Sequence, residues 1–459
     1  MSPNKPFIAL LAYSIGLFAF TGQATAQSLP HAKHLTLRTL PASVLPARMA
    51  AVRAVLQDGV DKKVAPGFSA ALIDGFGRIE TTYVGVADLS DGKAIDGDTI
   101  FRLFSMTKPI TAVAVMILVE EGKLKLDAPL STYIPSFANT VVYVSGETVE
   151  SLKTEPQSRP LTLRDLLRQS AGMPYFGAEK PVERLYAMKG IERSPGEMIP
   201  DFKGPRVASL QELTDRIAAI PLAHQPGATY TYGNAIDVLG RVVEIGSGQK
   251  LGEFFKERIF APLGMTHTGF QVQPGDSAHL ANLYVAVTAS KNSEAFFSHK
   301  SLKDIPPHEV PRPVDPPAIS PWQSPAQLEF GGSGLVGTLG DYTRFARMIA
   351  GGGELDGVRL LKATTIAEMG SDQLGKKASG HIAQYGYSYG LGFGRVMDSA
   401  LSHSGAPSGT MFWSGAAGTF FWANPKTKEA GVIMTQVIGD FIRVYQGAAC
   451  RAAHGVPVQ

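Results

Sequence analysis

The chain of 459 residues is 44% hydrophobic and 18% charged, and its formal net charge of +3 offers no case for nucleic acid or an acidic partner. Single cores stop growing near roughly 250–300 residues, so this length implies more than one lobe. Cys450 is the only cysteine, which excludes an intramolecular disulfide, and among its small neighbours it reads as a core or surface residue, not a nucleophile.

At the N-terminus, Lys5 precedes an apolar stretch from Phe7 to Phe20 and then Ala24-Thr25-Ala26. That order reads as a secretory signal peptide, residues 1–26, leaving a mature chain 27–459 that is exported, periplasmic or secreted. The apolar part is shorter than the about 20 residues a span needs, so no stable membrane insertion is expected after cleavage; a retained anchor is the alternative.

Leu45, Met49, Val52 and Leu56 then mark a helical face. Phe68–Ile73 and Ile79–Val84, around Asp74-Gly75-Phe76-Gly77, predict a β-hairpin. From Ile110 to Val119 the sequence is apolar all round, as in a fully buried helix. Helical periodicity returns over Leu163–Ser170, Leu210–Ile220, Ala235–Ile245 and Leu251–Ile259. The stretch 301–325 holds eight prolines, so it forms neither a regular helix nor a central strand; it is a surface connection or a wall of a cleft. Three strands follow, Met411–Gly415, Thr419–Trp422 and Val432–Val437, with a turn at Asn424–Lys428 and a closing helix from about Phe441.

The expected fold is therefore α+β. An antiparallel sheet flanked by helices is built from both termini (about 45–120 and 330–450), with a mainly helical lobe of about 121–329 inserted. Clefts between lobes are the usual home of a small-molecule site.

Four Ser-x-x-Lys patterns occur, beginning at Ser2, Ser90, Ser105 and Ser247. Only Ser105 opens a helix, one buried throughout, with Lys108 one turn further on the same face. A serine hydroxyl needs a base within reach, and a lysine amine serves if burial lowers its pKa. The helix N-terminus also favours a developing oxyanion. Alternatively Ser105 is a simple N-cap and Lys108 a solvated first-turn residue.

The run Phe101-Arg102-Leu103-Phe104-Ser105-Met106-Thr107-Lys108 resembles the first signature of the class C β-lactamase-like serine hydrolases, a superfamily that includes D-Ala-D-Ala peptidases and family VIII carboxylesterases. Tyr232-Gly233-Asn234, Glu257–Met265 and Gly331-Gly332-Ser333-Gly334-Leu335 extend the resemblance from roughly 45 to 445. It implies a β-lactamase/transpeptidase-like fold and a shared general acid and base role for Tyr232 and Lys108. It also implies that Asn234 orients substrate and the lysine. Read alone, Tyr232 and Asn234 are a polar turn before a helix.

The third signature, usually Lys-Thr-Gly, is missing. Trp413-Ser414-Gly415 takes its place, as similar Trp-Gly-Gly triplets do in family VIII esterases, which makes these three residues substrate-binding. The backbone N–H groups of Ser105 and Ala416 then form the oxyanion hole. Tryptophan in place of a cation suits neutral esters better than anionic antibiotics. His403-Ser404-Gly405 is a rival third signature, but it lies 22 residues before Pro425 against 12 for Trp413.

Gly386-Tyr387-Ser388-Tyr389-Gly390 matches G-x-S-x-G, yet Leu391-Gly392-Phe393-Gly394 cannot start the helix that this elbow requires. The ten histidines show no ligand spacing, so no metal or other cofactor is expected. The resemblance thus implies a carboxylesterase acting on small-molecule esters of short to medium chain. Alternatives are a β-lactamase or peptidase, acyl transfer to an acceptor other than water, and a non-catalytic binding or sensor protein. Oligomeric state is not legible.

Overall fold

A seven-stranded antiparallel sheet forms the centre of the molecule in the computed structural model, which describes residues 42–175, 180–191, 207–286, 301–325, 328–439 and 441–458. Residues 1–26, read as a signal peptide, lie outside them. From edge to edge the strands are Tyr387–Tyr389, Gly394–Val396, Met411–Ser414, Phe420–Asn424, Glu429–Met434, Gly67–Ile73 and Ile79–Gly85. The N-terminal hairpin thus completes a sheet begun near the C-terminus, with Ser69 opposite Met434 and Ile73 opposite Ala430.

Burial follows position. Gly67–Ile73 is buried at every residue, as a strand covered on both faces must be, whereas the edge strand Ile79–Gly85 is half exposed. The turn between them closes on Asp74, whose carboxylate accepts the N–H groups of Phe76 and Arg78.

Side-chain alternation distributes the covering helices. Phe68 and Trp422 point to the Phe441–Ala453 helix, where they meet Tyr445 and, just past its end, His454. Phe421 points the other way, onto Tyr342 and Phe345 of the Leu339–Ala350 helix. The Leu45–Asp61 helix packs beside Phe441–Ala453, and the Tyr445 hydroxyl donates to Asp58 at 2.7 Å, tying the two ends together. Cys450 is a core residue, fully buried, and burial pushes its thiol pKa far up.

The expected Val432–Val437 strand is divided. Its main-sheet part is Glu429–Met434; then Thr435 donates to the Gly67 carbonyl and Gln436 to that of Arg102. These bonds carry the chain out of the large sheet, and Val437–Ile438 pairs in parallel with Leu283–Val285. Arg312–Asp315, from the proline-rich stretch, is the edge strand of that smaller sheet.

The stretch between the two halves carries helices at Leu163–Leu167, Pro181–Met188, Leu210–Ala218, Ala235–Ser247 and Leu251–Phe255. The last passes into a π turn over Lys256–Phe260. A hairpin of Val141–Ser145 and Lys153–Pro156, mostly exposed, was not legible as strand. No helix among the described residues is long and apolar enough to cross a membrane.

Candidate active site

Ser105 lies in a 3₁₀ turn, Phe104–Met106, which precedes the Thr107–Glu120 helix. The serine therefore stands one turn ahead of the helix it was expected to open. Phe104 adopts φ 45°, a left-handed conformation that costs a non-glycine residue about 1–2 kcal/mol. The surroundings enforce it. The Leu103 carbonyl accepts the Met106 N–H and the Thr419 hydroxyl, each at 3.1 Å, while the Leu103 N–H donates to Leu335 at 2.9 Å. Behind Ser105 every residue from Thr107 to Leu118 is buried, so the helix is a fixed platform.

Lys108 is wholly buried, and its Nζ donates in three directions. It reaches Tyr175 Oη at 2.7 Å, the Gly332 carbonyl at 2.7 Å and Ser105 Oγ at 3.3 Å. The Gly332 carbonyl is itself held in place. Its own N–H donates to Asp237 Oδ1 at 2.8 Å, and a Cβ on Gly332 would meet that carboxylate at 2.4 Å. The glycine-rich loop is thus shaped to deliver one carbonyl to Lys108 Nζ.

Tyr232 Oη donates to Ser105 Oγ at 2.6 Å, the shorter of the two contacts to the serine. Its segment docks on residues 169–174. Thr231 N–H donates to the Gln169 carbonyl, Asn234 N–H donates to that of Met173, and Gly233 bridges Pro174. A Cβ on Gly233 would come within 2.0 Å of the Met173 carbonyl, so only glycine fits between Tyr232 and Asn234. Asn234 was expected to orient the lysine. It is buried and donates instead to the Pro174 carbonyl at 2.9 Å, and the hydroxyl on Lys108 belongs to Tyr175.

Tyr175 was missed in the sequence because no local pattern marks it. The bridge between Pro174 and Gly233 brings it edge-on to Tyr232, with ring centroids 5.4 Å apart. Asp237 was missed likewise, although its place in the first turn of the Ala235–Ser247 helix, three residues after Asn234, was a usable signal.

The Met411–Ser414 strand abuts the 3₁₀ turn of Ser105. Trp413 is almost fully buried and packs on Tyr232 at 5.4 Å and on Tyr389 at 5.0 Å. Gly415 follows, its N–H donating to the Thr419 carbonyl at 2.7 Å. A Cβ there would lie 2.3 Å from the Leu103 carbonyl, which holds the position to glycine. Ala416, next along, is exposed. Ser414 alternates to the opposite face, where Arg443 donates to its hydroxyl. Arg443 thus reaches this strand from the far side of the sheet, away from Trp413.

The rival motifs sit elsewhere. Ser388 is buried in the Tyr387–Tyr389 strand and donates to Asp372, with no helix after it. The His403 ring meets Tyr387 Oη at 2.6 Å and lies against Gly447 of the C-terminal helix. Burial pushes the Tyr389 hydroxyl well above the usual tyrosine pKa.

Residues 52–441 match the family model described as Beta-lactamase. Protein Rv1367c of Mycobacterium tuberculosis is 33% identical over 357 residues, 76% of this chain and 80% of its own. Esterase EstB of Burkholderia gladioli is 36% identical over 190 residues, 40% of this chain and 42% of its own. Among solved structures, that of "EstCE1, a hydrolase with promiscuous acyltransferase activity" superposes with a TM-score of 0.69 at 24% identity, covering 88% of this chain and 98% of the other. That likeness shows a shared β-lactamase/transpeptidase-like α+β fold. The chain belongs to the Beta-lactamase family.

Proposed function

We propose that this protein is a carboxylic ester hydrolase that works through an acyl-enzyme on Ser105. The observation that carries the reading is the bracketing of Ser105 Oγ by Tyr232 Oη at 2.6 Å and Lys108 Nζ at 3.3 Å. Three donor contacts suit Lys108 as an ammonium, and the shorter contact suits Tyr232 as the proton acceptor. In the reacting state Tyr232 is the phenolate, its hydrogen bond with Ser105 reversed, and Ser105 Oγ attacks the ester carbonyl as its proton passes to Tyr232. The negative charge on the carbonyl oxygen meets the N–H groups of Ser105 and Ala416. Collapse expels the alcohol, which takes the proton from Tyr232 and leaves the acyl group on Ser105. Water then attacks the acyl-enzyme, giving its proton to Tyr232, and the acid departs with Ser105 reprotonated.

The aromatic wall of Tyr175, Tyr232, Trp413 and Tyr389, with Trp413 standing where a third-signature lysine would be, supports neutral esters of short to medium chain. Esterase EstB and Lovastatin esterase of Penicillium rubens carry the same activity in their names, which supports the reading. Asn234, Trp413 and Gly415 belong to this site as its binding wall and frame, and Ser414 ties their strand to Arg443 from the opposite face. Acyl transfer to an acceptor other than water is the second reading, favoured by the promiscuous acyltransferase activity ascribed to EstCE1. We place the mature enzyme outside the cytoplasm after removal of residues 1–26. In it a lobe of about 45–120 and 330–450 and a lobe of about 121–329 each supply part of the site.

The test is a substrate panel of p-nitrophenyl esters and nitrocefin, run on wild type and Ser105→Ala. Ester turnover should fall by about 10⁴-fold or more in the variant. Robust nitrocefin hydrolysis with negligible esterase activity, or ester turnover that survives Ser105→Ala, overturns the proposal.

A further inference from the structure

Packing gives the proline-rich stretch a more specific place than a plain connection or a wall of the cleft. Trp322, near its end, is 1% exposed and spans two parts of the site. Its ring lies edge-on to Phe104 at 5.6 Å and 73°, against the left-handed residue that precedes Ser105. Its Nε1–H donates to the Gly334 carbonyl at 3.0 Å, in the loop whose Gly332 carbonyl receives Lys108. One side chain therefore touches both the turn that carries the serine and the loop that seats the lysine.

The stretch itself is anchored from the other side by Arg102, two residues before Phe104. Arg102 is fully buried and donates to the Asp315 carboxylate at 2.7 Å, to the Asp315 carbonyl at 2.9 Å and to Ser320 Oγ at 3.1 Å. Its guanidinium also lies over the Trp322 ring, 5.3 Å from the centroid. Prolines at 306, 307, 311, 313, 316, 317, 321 and 325 remove backbone freedom from this segment, so its position is transmitted stiffly.

We propose that Trp322 is a positioning residue that sets the spacing of Ser105 and Lys108, making the proline-rich stretch a brace for the nucleophile. The proposal rests on Ser105 being the nucleophile. Small displacements of reacting groups cost rate more than binding, so the effect belongs in acylation. Trp322→Phe keeps the ring against Phe104 and loses the N–H; Trp322→Leu loses both.

The measurements are kcat and KM per titrated active site on a p-nitrophenyl ester, and the rate of Ser105 labelling by a fluorophosphonate, on protein shown to be folded by near-UV circular dichroism. We expect a fall in kcat and labelling of about 5-fold to 10-fold for Trp322→Phe and about 100-fold for Trp322→Leu, with KM within about 2-fold. Because the ring acts through Phe104, Trp322→Leu should lose much of its effect in a Phe104→Leu background. Unchanged kcat and labelling per folded site in both variants overturns the brace, as does full additivity with Phe104→Leu. If wild type shows no labelling at Ser105, the nucleophile assignment has failed instead, which is a separate result.

Discussion

At the scale of single residues, the site is a set of short contacts that each answer one need. In the proposed mechanism Ser105 requires a proton acceptor, and Tyr232 is nearest; the buried Lys108 Nζ requires partners, and Gly332, Tyr175 and Ser105 supply them. Of these, the Tyr175 hydroxyl can be removed while the ring stays edge-on against Tyr232. Tyr175→Phe is expected to lower kcat about 10-fold to 100-fold with KM within about 2-fold, since a hydrogen bond to a charged group contributes about 1.5–3 kcal/mol. Steady-state kinetics on a p-nitrophenyl ester checks this; a variant with wild-type kcat would show that the hydroxyl does no work on Lys108.

At the scale of elements, the loop that carries Tyr232 depends on a short helix some distance away in sequence. Asp165 of Leu163–Leu167 closes a capping box with Thr162 and takes Arg159 and Arg168 on its two oxygens, at 2.6 and 2.7 Å. Both guanidinium groups crowd Gly227, in the turn before Tyr232, where φ is 80° and a Cβ would lie 2.4 Å from Arg159. Burial opposes ionisation of Asp165, but the hydrogen bonds from Arg159, Arg168 and Thr162 outweigh it and hold the carboxyl below its usual pKa. A depressed folded pKa means that the unfolded chain takes up the proton first as pH falls. The stabilisation is therefore complete above the unfolded value of about 4 and is lost as pH drops through the folded one. Asp165→Asn should cost about 1–3 kcal/mol at pH 7. Urea midpoints of wild type and variant should converge as pH is lowered below about 4. A gap that stays constant down to the acid limit of folding would contradict this account.

At the scale of the whole molecule, the two ends of the described chain close one sheet and one helix pair. Removing residues 441–459 would strip the cover from Phe68 and Trp422, and burying such a side chain is worth about 1.5–3 kcal/mol. The truncated chain is expected to lose its native near-UV circular dichroism and to elute as aggregate in size-exclusion chromatography. A soluble, active truncation would show that the closure is dispensable.

Much of this architecture is legible in the amino-acid sequence. Strand alternation and turn chemistry place the 67–73 and 79–85 hairpin and the 411–414 and 420–424 strands within a residue or two, because those segments are stabilised locally by their own turns. The all-round apolarity of 110–119 marks a buried helix, and Ser105, Lys108 and Tyr232 can be singled out because two short patterns carry them. Contacts between segments far apart in sequence are settled by the tertiary fold alone. Tyr175 meets Lys108 through a bridge of Pro174 to Gly233, Trp322 meets Phe104 across 218 positions of chain, and Asn234 turns to Pro174 instead of the lysine. Local spacing encodes elements because backbone periodicity is local. The partner of a buried side chain is chosen by packing, which depends on the whole fold.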